Sequence, residues 1–150
     1  MPATNIEAML AEALNGNASA FSGLSHGIGQ LEIDGLAIGV DHNEEQGRLV
    51  LWCSIGELPS IVPQEALEFL LEANLLGSRT GGGHIGLYAP ARTLLFSLPL
   101  DTTALDAPRL ANALARFREK AAELIAEVEE RRFSLPAALD MPFMANVIWG

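Results

Sequence analysis

The sequence predicts an α+β fold with the order helix-β-β-β-helix-β-β-helix, in which an antiparallel, twisted sheet packs against helices. Apolar residues recur at helical spacing in three stretches and alternate with polar residues in five others. The connections between neighbouring strands are too short for parallel crossovers, which require a longer segment. The 150 residues are most simply one domain, 1–132, followed by an apolar tail, 133–150.

Composition and charge narrow the functional classes. The formal net charge is -10, which disfavours non-specific binding to nucleic acid phosphates and favours basic partners. Cys53 is the single cysteine, so an internal disulfide is excluded and no cysteine metal cluster is available. Because no secretory signal and no apolar run of membrane-spanning length is evident, we expect a cytoplasmic protein.

The first half of the chain predicts a helix, a loop and a meander of three strands. Thr4 and Glu7 have capping-box spacing at the start of the helix, and the Gly- and Ser-rich stretch 18–29 is interpreted as a packed loop. From Gln30 the apolar period becomes two, with Asp34-Gly35 as a hairpin turn. The third strand is expected from Arg48 to Ile55, the fourth from Ile85 to Ala89 and the fifth from Thr93 to Leu98, and a long final helix begins near Asp106.

The central helix, predicted from Pro63 to Leu76, has too much apolar surface for one contact. Its leucines, alanines and Phe69 cover well over half of the circumference when placed at about 100° per residue. A helix that is apolar nearly all round is buried on more than one side. The second cover is either another copy of this helix in a homodimer or other elements of the same chain.

The sequence has no pattern that predicts catalysis, a cofactor or a metal site. Gly81, Gly83 and Gly86 have G-x-G-x-x-G spacing, but they follow a helix and open a strand, the reverse of a nucleotide-binding loop. The three histidines stand singly, without the short-spaced pairs of metal ligands. We therefore expect a binding protein, with no enzyme activity, no cofactor and no metal.

The order of these motifs resembles the class I type III secretion chaperones, the Tir chaperone (CesT) family, from about Ile6 to Glu130. The motifs that carry the resemblance are LEIDGLAIGVD, LVLWCSIGELP, EALEFLLEANLLGSRTGGGHIGLYAPARTLLFSLPL and ALARFREKAAELIAEVEE. The resemblance implies a bacterial cytoplasmic homodimer that binds an extended N-terminal segment of a secreted effector and keeps it secretion-competent, without inserting into a membrane. It also implies that the second helix forms the dimer contact, through Leu67, Leu70, Leu71, Ala73 and Asn74. The alternative is a dimeric regulatory or structural module of the same fold that binds a folded partner.

The effector-binding surface is predicted from strand alternation. If the helices cover the sheet face that carries Leu49, Leu51 and Cys53, an apolar set projects from the opposite face. This set is Val50, Trp52, Tyr88 and Leu95, and Phe21 and Leu24 of the first loop are added to it as effector-binding candidates. The tail or a second subunit covering the same residues is an equal alternative.

The tail after Arg132 is strongly apolar, with Asp140 as its one charged side chain after Phe133. An apolar segment of this kind must dock on its own domain, on a second subunit or on a partner. One hypothesis is that it occupies the outer sheet face when no client is bound.

Overall fold

A computed structural model describes residues 5–15, 21 and 23–133. Its three helices are α1 (Ile6–Leu14), α2 (Gln64–Ala73) and α3 (Ala107–Phe133). The five strands are β1 (Ile28–Ile33), β2 (Leu36–Asn43), β3 (Arg48–Glu57), β4 (His84–Tyr88) and β5 (Thr93–Asp101). The predicted α+β class and order of elements are therefore confirmed. The predicted tail lies outside the described residues, apart from Phe133 at the end of α3.

The strands form one five-stranded antiparallel sheet in the order β1-β2-β3-β5-β4, so β1 and β4 are its edges. The first hairpin turns at Asp34-Gly35, where both residues have positive φ (48° and 85°). A type I′ turn requires this backbone, and Asp-Gly is one of the dipeptides that adopt it readily. Ile33 consequently pairs with Leu36, which fixes the register of β1 against β2.

The chain divides into two compact units, and each has a core of its own. The first unit comprises the described residues up to 53 together with 97–120, and the second comprises 54–96 and 121–133. Buried apolar side chains of the first unit are Ile6, Leu10, Leu14, Leu31, Ile38, Val40, Leu49, Leu51, Cys53, Leu110, Ala113, Leu114 and Phe117. Those of the second unit are Ile55, Phe69, Ala73, Ile85, Leu94, Phe96, Ala121, Leu124 and Val128.

Several predicted element ends are wrong, among them the ends of β3, β4 and β5, which lie at Glu57, Tyr88 and Asp101. Asn5 caps α1, its side chain accepting a hydrogen bond from the Ala8 N–H at 3.0 Å, so Thr4 is not the capping residue. β1 begins at Ile28 because Ile28 pairs with Asp41, which removes two residues from the predicted loop. α2 ends at Ala73 rather than Leu76; a 3-10 turn follows, and Leu76 takes a left-handed conformation (φ 55°) one residue before Gly77.

Candidate protein-binding surfaces

The three strands of the first unit carry an apolar patch on the face opposite the core. Antiparallel partners that lie directly opposite share a sheet face. Ile28, Asp41 and Val50 form one such row. Trp52, paired with Gly39, lies in the next row on the same face. Ile28 is 56% exposed, Trp52 is 39% exposed and Val50 is half-buried. We call Ile28, Val50 and Trp52 the outer patch.

Gly39 is the reason Trp52 lies flat on the sheet. A Cβ at this position would collide with the indole ring, so the ring occupies the space that a side chain would fill. The glycine itself is buried beneath the indole. A large aromatic side chain held against a sheet but open to solvent on its other side is the kind of residue that dominates binding at protein interfaces.

Leu24 and Phe21 do not join the outer patch. A Cβ at Gly29 would lie 2.6 Å from Cδ2 of Leu24, and Gly29 pairs with the buried Val40, so Leu24 packs on the core side of the sheet. Glu7 of α1 accepts a hydrogen bond from the Leu24 N–H at 3.3 Å. Phe21 is half-buried and lines a shallow depression with residues of α1. The predicted candidates that belong to the first unit are therefore divided between its two sides.

The remaining candidates belong to the second unit. Tyr88 is exposed at the end of the edge strand β4, and its neighbour Leu87 is exposed as well. Leu95 is half-buried on β5, on the face opposite the buried Leu94 and Phe96. Leu87 was not among the predicted candidates, because strand alternation gives the direction of a side chain but not whether other residues cover it.

The predicted dimer residues on α2 have different environments. Leu67 and Leu71, one turn apart, are 44% and 74% exposed, and Leu70 is half-buried. Ala73 is completely buried within its own chain and has no surface to offer a partner. Asn74 uses its side chain inside the chain: Oδ1 accepts from the Ile85 N–H at 2.7 Å, and Nδ2 donates to the Ile85 carbonyl at 2.9 Å.

Two exposed leucines extend the stripe of Leu67 and Leu71 beyond the helix. Leu75 is exposed, and Leu76 is 95% exposed in its left-handed conformation. A residue other than glycine in this conformation costs about 1–3 kcal/mol unless the surroundings require it. The sequence assigned both leucines to a continuous helix, so their outward position was missed. We call Leu67, Leu71, Leu75 and Leu76 the leucine stripe.

The described residues offer little polar chemistry. Burial raises the pKa of the Cys53 thiol to about 12, so it remains protonated and unreactive at neutral pH. No group of three or more His, Cys, Asp or Glu side chains within 5–15, 21 and 23–133 could hold a metal ion. Gly81, Gly82 and Gly83 lead into β4, where Thr80 donates to the Gly83 carbonyl at 2.7 Å. None of the helices in the described part of the chain has the length and apolarity needed to cross a membrane.

Comparisons with known proteins place this geometry in context. The model of the Tir chaperone protein (CesT) family matches residues 10–124. A comparison with curated proteins finds no match. Among solved structures, the chain is similar to the HopA1-SchA chaperone-effector complex, with a TM-score of 0.59 and 20% identity over 85% of this chain and 91% of that chain.

Two further solved structures share the fold. The type III secretion chaperone SycH of Yersinia pestis, in complex with a stable fragment of YscM2, has a TM-score of 0.60 and 21% identity, covering 79% of this chain and 98% of that chain. An uncharacterized protein from Methanothermobacter thermautotrophicus has a TM-score of 0.61 and 13% identity, covering 83% of this chain and 97% of that chain. At these identities the similarity establishes the fold.

Proposed function

The chain belongs to the Tir chaperone protein (CesT) family, and from that premise we propose that it is a type III secretion chaperone for an effector protein. It binds an extended N-terminal segment of that effector and keeps the effector soluble and secretion-competent, without catalysis. We place it in the bacterial cytoplasm, because a chaperone for export must meet its client before the client leaves the cell.

The observation that carries the proposal is the outer patch. Large apolar side chains that face solvent together mark an interaction surface more often than a structural accident. Trp52 supplies a broad, rigid contact, and Ile28 and Val50 extend it along one face of the first unit. An extended client inserts apolar side chains against this patch.

The edge of the sheet adds a second, sequence-independent source of affinity. β1 is an edge strand, and an extended peptide that pairs with such an edge gains main-chain hydrogen bonds. This mode suits an unfolded segment, because a folded partner has few unpaired strands to offer. The net charge of -10 attracts basic clients and is consistent with a chaperone that takes no part in nucleic acid binding.

We further propose that the working form is a homodimer joined through the leucine stripe. Leu67 and Leu71 occupy one face of α2, and Leu75 and Leu76 continue the apolar surface past its end. A two-fold dimer would place this patch against its own copy, so that both copies cover the same residues. Ala73 and Asn74 are left out of the proposed contact because one is buried and the other is hydrogen-bonded within the chain.

Co-expression with the product of the neighbouring reading frame tests the proposed activity. The complex is digested with protease, and the protected client fragment is sequenced. An extended N-terminal fragment that is unstructured when free is the expected result. Recovery of an intact folded partner instead would favour a regulatory module and contradict the chaperone proposal.

Substitutions at Trp52 test where the client binds. Trp52→Ala is expected to weaken client binding by about tenfold or more, which corresponds to roughly 1.4 kcal/mol at an aromatic hot spot. Ser54→Ala, on the next outward position of β3, is the matched control and should leave the affinity unchanged. Gly39→Ala retains the indole but forces it off the sheet, whereas Gly86→Ala adds a methyl group to open space. Equal affinities for the Gly39 and Gly86 variants would exclude the indole as the binding platform.

A further inference from the structure

An apolar groove in the second unit is left uncovered by the described residues. Six of the residues that line it are Leu58, Val62, Ala66, Leu70, Leu94 and Val128, which belong to the segment after β3, to α2, to β5 and to the last turns of α3. Its volume is about 340 Å³, including the part open to solvent. Because this figure includes open solvent, the groove is a half-open cleft along which apolar side chains can lie, and not an enclosed ligand pocket.

The charged residues at the groove do not provide a polar binding site. The Arg131 guanidinium stacks on the Phe69 ring at 3.8 Å from the centroid and pairs with Glu127 one turn earlier on α3. Its face is therefore already against an aromatic ring, and its charge is already compensated. Glu57, the other charged residue that lines the groove, is exposed and negative, so the groove favours an apolar occupant over an anion.

We propose that the first part of the chain's own tail, residues 134–144, occupies this groove, with Leu135 and Leu139 as anchors. Val128 and Arg131 line the groove, and α3 ends at Phe133, so the tail starts within a turn of the groove wall. An extended chain spans about 3.3–3.6 Å per residue, so Leu139 can reach roughly 20–22 Å from Phe133, the last residue of α3. This distance is ample for an adjacent groove.

The tail sequence fits the groove in composition and in direction. Pro136 disfavours helical backbone at Leu135, so the chain is expected to leave the axis of α3 beside the groove and not to continue past it. Asp140 is the one charged side chain after Phe133, which makes the tail costly to leave in water. Because the tail is tethered, its effective concentration at the groove is in the millimolar range, and a modest affinity is enough to fill it. The contact does not depend on the proposed function.

Methyl NMR on the full-length chain tests this contact. The variant Leu135→Asn/Leu139→Asn is compared with Val147→Asn/Ile148→Asn, which makes the same chemical change farther along the tail. The Val62, Leu70 and Val128 methyl signals are expected to shift in the first variant and to stay in place in the second. Equal spectra for the two variants, or shifts that appear only when a client is added, would overturn the proposal.

A reciprocal experiment changes the groove and observes the tail. Ala66→Arg places a charged side chain in the groove and is expected to speed amide hydrogen exchange of residues 134–144 by about tenfold or more. Ala122→Arg, on an exposed position of α3, is the control and should leave this exchange unchanged. If Ala66→Arg fails to fold, the methyl NMR comparison of the two tail variants still tests the contact, because their substitutions lie outside the described fold.

Mixing experiments identify whose tail is bound. Isotope-labelled wild-type chain is combined with an excess of the unlabelled Leu135→Asn/Leu139→Asn variant. Unchanged groove signals are expected for a tail bound within its own chain. Signals that move toward those of the variant would show exchange of tails between copies and would overturn docking in the same chain.

Discussion

The helices α2 and α3 are both rich in apolar residues, but they use them differently. α3 buries a single stripe: Leu110, Leu114, Phe117, Ala121, Leu124 and Val128 are all buried. α2 buries Phe69 and Ala73 on one side and exposes Leu67 and Leu71 on another. The apolar stripe of α3 therefore stabilises the fold of the chain, whereas α2 does so with only one of its apolar sides and leaves Leu67 and Leu71 available to a second molecule.

The two helices also differ at their N-terminal ends, where α3 has a side-chain cap and α2 has none. Asp106 caps α3, its Oδ1 accepting from the Arg109 N–H at 2.8 Å, and the helix then continues for 27 residues. α2 begins after Pro63, whose side chain has no acceptor for the free N–H groups, and it ends after ten residues. Because a short helix is held mainly by packing, α2 depends on what covers its apolar sides. The following substitutions separate the two roles.

Phe117→Ala on α3 should have the largest effect. Phe117 is almost completely buried, and removing its ring leaves a cavity in the core of the first unit. The free energy of unfolding is expected to fall by about 3–5 kcal/mol. Chemical denaturation measures the change, with the exposed neighbour Arg116→Ala as a control that should change it by less than about 0.5 kcal/mol. A loss below that limit for Phe117→Ala would show that α3 is not the helix that holds its unit together.

Asn74→Ala is expected to have the second largest effect, because it removes the two hydrogen bonds that join the end of α2 to β4. Both backbone groups of Ile85 lose their side-chain partner, at an expected cost of about 2–4 kcal/mol. Asn112→Ala, an exposed asparagine on α3, is the control and should be near neutral. If Asn74→Ala changes self-association and leaves the stability of the single chain intact, Asn74 belongs to a dimer contact and not to the fold.

Asp106→Ala tests the capping of α3 and should have a smaller effect. Loss of the bond to the Arg109 N–H is expected to lower the free energy of unfolding by about 1 kcal/mol. Asp106→Asn keeps the acceptor and should recover most of that loss in thermal denaturation. Similar destabilisation by both variants would indicate that the exposed ion pair with Arg109, at 3.9 Å, matters more than the cap.

Leu71→Ser should have the smallest effect on the stability of the single chain. Leu71 is largely exposed, so the free energy of unfolding at high dilution is expected to change by less than about 0.5 kcal/mol. Self-association, measured by sedimentation, should nevertheless weaken when the leucine stripe is a dimer contact. Glu72→Ser, the next residue on an exposed position, is the control. Unchanged sedimentation of Leu71→Ser would remove the stripe from the proposed interface.

Much of the fold could be predicted because its signals are local. Asp34-Gly35 predicted a hairpin since few dipeptides adopt two consecutive positive φ angles, and the register of β1 and β2 follows from that turn. Asp106 predicted the start of α3 for a similarly local reason. The order of elements and the family follow from these motifs taken together, and residues 10–124 match the family model.

The candidate surfaces were predicted less completely, because exposure depends on neighbours that are distant in the sequence. Alternation placed Trp52 on the outer face correctly, but it gave no indication that Gly39 of the adjacent strand provides the flat surface beneath the indole. Leu24 was grouped with Trp52 although it packs on the opposite side of the sheet against Gly29. Ile28 was missed because its strand was expected to start two residues later.

The sequence by itself determined which segments are helices and strands, where the hairpin turns lie and that α2 carries more apolar surface than one contact can cover. These properties follow from backbone preferences and from the spacing of apolar residues along the chain. Only the tertiary structure decided which residues of this region are buried or hydrogen-bonded within the chain, as Ala73 and Asn74 are. It also decided which ones are exposed to solvent, as Leu67 and Leu71 are. Burial and hydrogen bonding are settled by strands and loops that approach from elsewhere in the chain, and a linear pattern does not contain their positions.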